Sequence, residues 1–97
     1  MQTYVILWNW TEQGAAKMQD TIKRAEDFAA AAEKAGARVK MYSWLVGRYD
    51  GMLILEAPDE TTAIGLLAKL AKLGNIRTQT LRSFDSAEMQ KILAKAK

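Results

Sequence analysis

YSWLVGRYDGMLILEAPD, residues Tyr42 to Asp59, decides how this chain folds. Two apolar runs flank Gly47 and Arg48, both rich in β-branched, aromatic and long aliphatic residues, the composition of strands covered on both faces. The stretch reads as a hairpin. Asp50 interrupts the second run just past the turn, and a carboxylate beside Trp44, Leu45 and Leu53 calls for a reason.

Upstream, Thr3 to Trp10 alternates as a first strand, with Tyr4, Ile6, Trp8 and Trp10 on one face and Val5, Leu7 and Asn9 on the other. From Thr11 to Gly36 the period becomes helical, Met18, Ile22, Ala25, Ala29 and Ala32 forming a stripe at spacings of three and four. One unbroken helix over about 26 residues would run about 39 Å, against roughly 26 Å for an eight-residue strand. A break is expected: a short helix over 12–18, then a main helix over 20–35, capped by Asp20 or Thr21 and stopped at Gly36. The hairpin supplies strands Ala37 to Val46 and Tyr49 to Ala57. Downstream, Pro58 and Asp59 start a second crossover helix that ends at Gly74, and its apolar residues cover more than one stripe. Asn75 to Phe84 is an edge strand. Asp85 and Glu88 form a D-x-x-E capping box for a terminal helix.

The order is βαββαβ plus a helix. Two right-handed crossovers around a hairpin give an α+β, ferredoxin-like antiparallel sheet in spatial order 4-1-3-2, with both main helices on one face. One domain over 1–97 is expected. That topology gathers Trp8, Asn9, Trp10, Thr11, Trp44, Arg48, Tyr49, Asp50, Asn75, Arg77 and Thr78 at one end of the sheet, beside the irregular segment around Lys17. Aliphatic Val5, Leu7, Leu53 and Leu55 are expected to face the helices. Tyr4, Ile6, Trp8, Trp10, Lys40, Tyr42, Trp44, Asp50, Met52, Ile54 and Glu56 are then left on the open face. So large an apolar face predicts a second subunit, hence a dimer or higher even-numbered oligomer, with a ligand cleft beside the polar members.

Composition narrows the chemistry. The 97 residues include no Cys and no His, which excludes a thiol nucleophile, a disulfide, an imidazole base and the usual zinc or haem ligation; no metal and no cofactor are expected. Apolar residues come in short segments, far from the roughly 18 a membrane span requires, and no leader is evident, so a cytoplasmic protein without membrane contact is expected. The net charge of +3 owes much to Lys91, Lys95 and Lys97. A solvated helix end explains those lysines, and no nucleic-acid partner is expected. The RNA-recognition motif shares the βαββαβ order, but it needs paired aromatics where this chain sets Asp50, Met52 and Ile54.

NWTEQG at 9–14, GRYDG at 47–51, EAPD at 56–59 and GNIRTQTLR at 74–82 together resemble the GYD domain family across nearly the whole chain. The Gly, Tyr, Asp signature is carried by Gly47, Tyr49 and Asp50. Members often have Pro where this chain has Ile22. The resemblance implies a dimeric α/β barrel architecture and no agreed activity. The G-x-YD and T-x-T pattern is also similar to the effector-binding domain of leucine-responsive regulators, which binds amino acids between subunits. With the first strand opening at residue 3, no helix-turn-helix is expected ahead of it.

The candidate ligand-binding residues are Trp8, Trp10, Lys17, Arg24, Tyr42, Trp44, Tyr49, Asp50, Arg77, Thr78 and Thr80. The aromatics suit a planar ligand or a subunit interface. Lys17 and Arg24 suit an anionic group or a solvated helix face. Asp50 has three readings: a structural carboxylate held by Arg77 or by turn amides, a ligand contact, or the general base of a cofactor-independent monooxygenase or isomerase. Glu56 is expected to pair with Lys40 or Arg82. The expected function is small-molecule binding near the open face, with the Asp50 enzyme and a purely structural assembly module as alternatives.

Overall fold

In β1 (Gln2–Trp10) the even-numbered Tyr4, Ile6 and Trp8 are buried and their odd-numbered neighbours half-buried, as the strand period of two requires. The structure, a computed structural model, describes residues 1–97. After β1 come α1 (Glu12–Ala16), a single 3-10 turn (Met18–Asp20), α2 (Thr21–Lys34), β2 (Arg38–Trp44), β3 (Gly51–Ala57), α3 (Glu60–Leu73), β4 (Ile76–Ser83) and α4 (Ser86–Lys95). The sheet order is β2-β3-β1-β4 with every neighbouring pair antiparallel, which is the expected ferredoxin-like arrangement.

The helix breaks where length demanded it, but by another device. Asp20 makes no capping bond, and the Thr21 hydroxyl instead accepts the Trp44 indole N–H at 3.0 Å. Arg24 braces the break, donating to the carbonyls of Lys17 at 2.9 Å and Gly14 at 3.5 Å, a second donor for each beside the backbone N–H groups of Asp20 and Lys17. α2 ends in a Schellman motif. Gly36, at φ 82°, donates to Glu33, and Ala37 donates back to Ala32. Asp59 caps α3 through the Thr62 N–H, and Asp85 with Glu88 forms the expected capping box on α4. Arg82 braces that last junction: it bonds the Ser83 carbonyl, pairs with Glu88 at 3.4 Å and lies over the Tyr4 and Phe84 rings.

Two expectations fail at the hairpin. β2 stops at Trp44 and β3 begins only at Gly51, and the loop opens beyond the last bonds that join it to the sheet, Leu45 N–H to the Asp50 carbonyl and Asp50 N–H to the Trp8 carbonyl. A bulge between Val39 and Met41 leaves Lys40 without a partner in the register. One inserted residue reverses the alternation beyond it. Arg38 therefore lies on the open face, and Tyr42 and Trp44 on the other.

β3 turns Leu53 and Leu55 to the helices as expected, but β1 presents the opposite face from the one expected. Tyr4 pairs with Leu55 and Ile6 with Leu53, and directly paired residues share a face. The core under the helices consists of Tyr4, Ile6, Leu53 and Leu55 with Phe28 and Ala32 from α2 and Ala63, Leu66 and Leu67 from α3. Each large side chain buried there contributes about 1.5–3 kcal/mol. Val5 and Leu7, expected inside, lie on the open face in register with Ile54, Met52, Leu81 and Gln79. Glu56 pairs with Arg38 at 2.9 Å, rather than with Lys40 or Arg82.

Candidate functional site

The glycine, tyrosine and aspartate of GRYDG each have a structural task at the end of β1. Gly47 takes φ 142°, a conformation that disfavours any side chain. The Arg48 carbonyl accepts Asn9 Nδ2 at 2.9 Å, and the Tyr49 hydroxyl reaches across to Gln79 Oε1 on β4 at 2.7 Å. Asp50 replaces a missing rung of the sheet. β3 has not yet begun opposite Trp10, so the Asp50 carboxylate accepts the Trp10 backbone N–H at 2.9 Å, with Asn9 Nδ2 at 3.4 Å. Gly51 gives the Trp8 indole its space, since a Cβ there would lie 2.0 Å from the ring.

NWTEQG and GN form a second latch. Thr11 donates its hydroxyl to the Gly74 carbonyl at 2.6 Å and its N–H to the Asn75 carbonyl at 3.1 Å, and Gln13 bonds Leu73 and Asn75 at 2.9 Å each. Gly14 is buried against Asn75, whose carbonyl oxygen would be 1.8 Å from any added Cβ. Two of the four motifs thus tie the segments after β1 and α3 together, and the GRYDG loop ties the hairpin to both central and edge strands.

Aromatic residues gather on the helix side of the sheet. A cavity of about 450 Å³ opens between α2, α3 and the β2–β3–β1 surface, where the two helices touch each other little. Trp8, Tyr42, Trp44, Phe28 and Leu66 supply much of its wall. Tyr42 and Trp44 pack edge to face at 5.6 Å, a favourable arrangement of ring quadrupoles. Lys69 and Lys72 of α3 and Arg24 and Asp27 of α2 stand among the lining residues, and Asp27 also lies 3.0 Å from Lys23.

The structure therefore brings together Trp8, Arg24, Tyr42 and Trp44 but separates the other candidates from them. The expected cleft beside the open face does not contain these aromatics, because the sheet turns them to the helices. Trp10, Thr78 and Thr80 share the helix-facing side by register but lie outside the cavity wall. Trp10 packs on Trp8 at 5.6 Å, and its indole nitrogen is the one buried side-chain donor without an acceptor. Asp50 and Tyr49 belong to the loop at the strand end, and Arg77 lies on the open face opposite Asn9 with no carboxylate in ion-pair reach, so it does not hold Asp50. Lys17 is exposed at the helical break. Phe28 on α2 and Leu66, Lys69 and Lys72 on α3 escaped the sequence reading; the extra width of the α3 apolar stripe was the one signal for the α3 residues.

Against this geometry, the family model described as "GYD domain" matches residues 4–93. The chain belongs to the GYD domain family. It is similar, at 28% identity over 92% of its length and 95% of the relative's, to the "Glutamine synthetase and cystathionine beta-lyase binding protein" of Thermus thermophilus. Among solved structures, MtbAldR is similar with a TM-score of 0.68 at 13% identity, over 88% of this chain and 54% of that one. FFRP-DM1 is similar with a TM-score of 0.63 at 21% identity, over 87% of this chain and all of that one. This chain thus spans about half of MtbAldR, and both likenesses show the fold. No helix is long and apolar enough to cross a membrane.

Proposed function

We propose that this member of the GYD domain family is a binding domain that takes an apolar small molecule between its helices and sheet and assembles through its open face. The reading rests on the 450 Å³ cavity. Protein interiors are ordinarily packed as densely as organic crystals, whereas ligand sites are concave, largely apolar and carry a few polar groups. Trp8, Phe28, Tyr42 and Trp44 supply the apolar wall, and Thr21 and Asn75 polar groups. The Asp50 enzyme reading lacks such support. Its carboxylate is engaged by the Trp10 N–H, and the cavity's own carboxylate is Asp27.

The test is native mass spectrometry on protein purified without organic additives, beside Ala31→Trp, which inserts an indole into the cavity from α2. A bound mass or titratable ligand in the parent protein and its loss in a folded Ala31→Trp variant is the expected result. Equal binding by both proteins, or an empty parent across an apolar ligand library, counts against the reading.

A protein-binding reading has its own observation: the Thermus relative is named for two enzymes it binds and aligns over nearly the whole chain. The exposed Met89, Ile92 and Leu93 on α4 offer an apolar contact for such partners. Co-elution with purified glutamine synthetase or cystathionine β-lyase, lost in Ile92→Glu, is the expected outcome; separate elution at micromolar concentrations removes it.

A further inference from the structure

Resting on the cavity reading above, we infer that the ligand is an apolar-tailed carboxylate whose head lies at Lys69 and Lys72. The two lysines are three residues apart on α3, on the side that also presents Leu66, Leu70 and Leu73 to the cavity. Both are exposed, and neither has a carboxylate within ion-pair distance, since the three ion pairs of the molecule involve other residues. The other charges at the wall are occupied. Asp27 is drawn to Lys23 at 3.0 Å, and the Arg24 guanidinium is spent on the carbonyls of Lys17 and Gly14.

The uncommitted charge at this mouth is therefore positive. Lysine stems lie readily along apolar surface with the ammonium held toward water, which is the geometry an amphipathic anion needs: tail inward, head at the rim. Behind the rim the aromatic and leucine walls provide little to satisfy a buried charge, so the anionic group has to stay outside while the tail enters. At about 30 Å³ per heavy atom, the liquid volume of a water, 450 Å³ accommodates roughly 15 heavy atoms. That suits a medium-chain fatty acid or an aryl-alkyl acid.

Decanoate, decanol and decylamine share a tail and differ in the head group, and the Trp8 and Trp44 indoles at the wall report their entry by fluorescence. Decanoate is expected to bind tightest, with an affinity that falls as salt is raised. The double variant Lys69→Gln, Lys72→Gln is expected to weaken decanoate about five- to tenfold and to leave decanol within about twofold, the scale of exposed charge contacts. Both positions are exposed, and an unchanged melting curve verifies the fold. Decanol binding as tightly as decanoate, or decanoate indifferent to the double variant, overturns the carboxylate inference while the cavity reading stands. Failure of all three probes to bind overturns both.

Discussion

Asp50 shows how a residue that reads as chemistry can be architecture. Its carboxylate completes the sheet where β3 has no backbone opposite Trp10, and Asn9 adds a second donor to the same oxygen. Asp50→Ala leaves the Trp10 N–H without an acceptor and is expected to cost about 1–3 kcal/mol. Asp50→Asn keeps one oxygen but gives up the charge, and should cost roughly half as much. Chemical denaturation of the two variants checks the order. An unchanged midpoint in both would mean that the carboxylate does not hold this loop. The oddity of Asp50 was legible from its apolar neighbours, and main-chain amides were one expected partner; that the amide is that of Trp10 on β1, and not one in the turn, leaves no trace in sequence. Asp59 offers a pH test. The Thr62 backbone and hydroxyl hydrogen bonds hold its carboxyl below the ordinary 3.8. A group depressed in the folded state stabilises while ionised, so its contribution is intact above pH 3.8 and fades as pH falls through the folded value. Melting temperatures of the parent and Asp59→Asn should therefore differ at neutral pH and converge in strong acid.

At the scale of elements, the sequence carried order, break and caps because each has a local cause. Helix length against strand length required the interruption near Lys17, and Gly36, Asp59, Gly74 and Asp85 each stop or start a helix as their chemistry dictates. The faces were harder. Leu53 and Leu55 belong under the helices, and antiparallel pairing commits Ile6 and Tyr4 to the same side, yet the tyrosine and tryptophans beside them read as residues for an open surface. The bulge at Lys40 reverses β2 through one inserted residue that has no distinctive side chain. Cavity residues on α2 and α3 escaped for a related reason: how far two helices splay is a tertiary property. The break itself predicts a dynamic contrast. Met18–Asp20 form one 3-10 turn with no buried residue, whereas α2 buries Phe28 and Ala32. Amide exchange is expected to be faster at Met18 to Asp20 than at Arg24 to Ala32. Equal protection in both segments would show that the Arg24 clamp makes them one cooperative helix.

For the whole molecule, surface area points to a partner. A monomeric protein of 10.8 kDa is expected to expose about 5,500 Å². This chain exposes 6707 Å² and buries 14 of its 97 residues. Its radius of gyration of 14.6 Å likewise exceeds the roughly 12.5 Å of a compact domain this long. The excess area exceeds the roughly 800 Å² that one partner contributes to a standard interface. Val5, Leu7, Met52, Ile54, Met41 and Leu81 share the open sheet face by register, the first four half-buried and Met41 and Leu81 exposed, and they offer one surface for such a partner. A second copy brings the same face, so a two-fold axis through the sheet satisfies both at once. The expected state is a dimer or higher even-numbered oligomer at micromolar concentration, measured by light scattering. Ile54→Lys places a charge in the centre of that face and should shift the population toward monomer, whereas Lys34→Glu at the far end of α2 should not. A parent protein that scatters as a stable monomer would remove this interface, and a dimer indifferent to Ile54→Lys would move it elsewhere, with the exposed apolar side of α4 the next surface to vary.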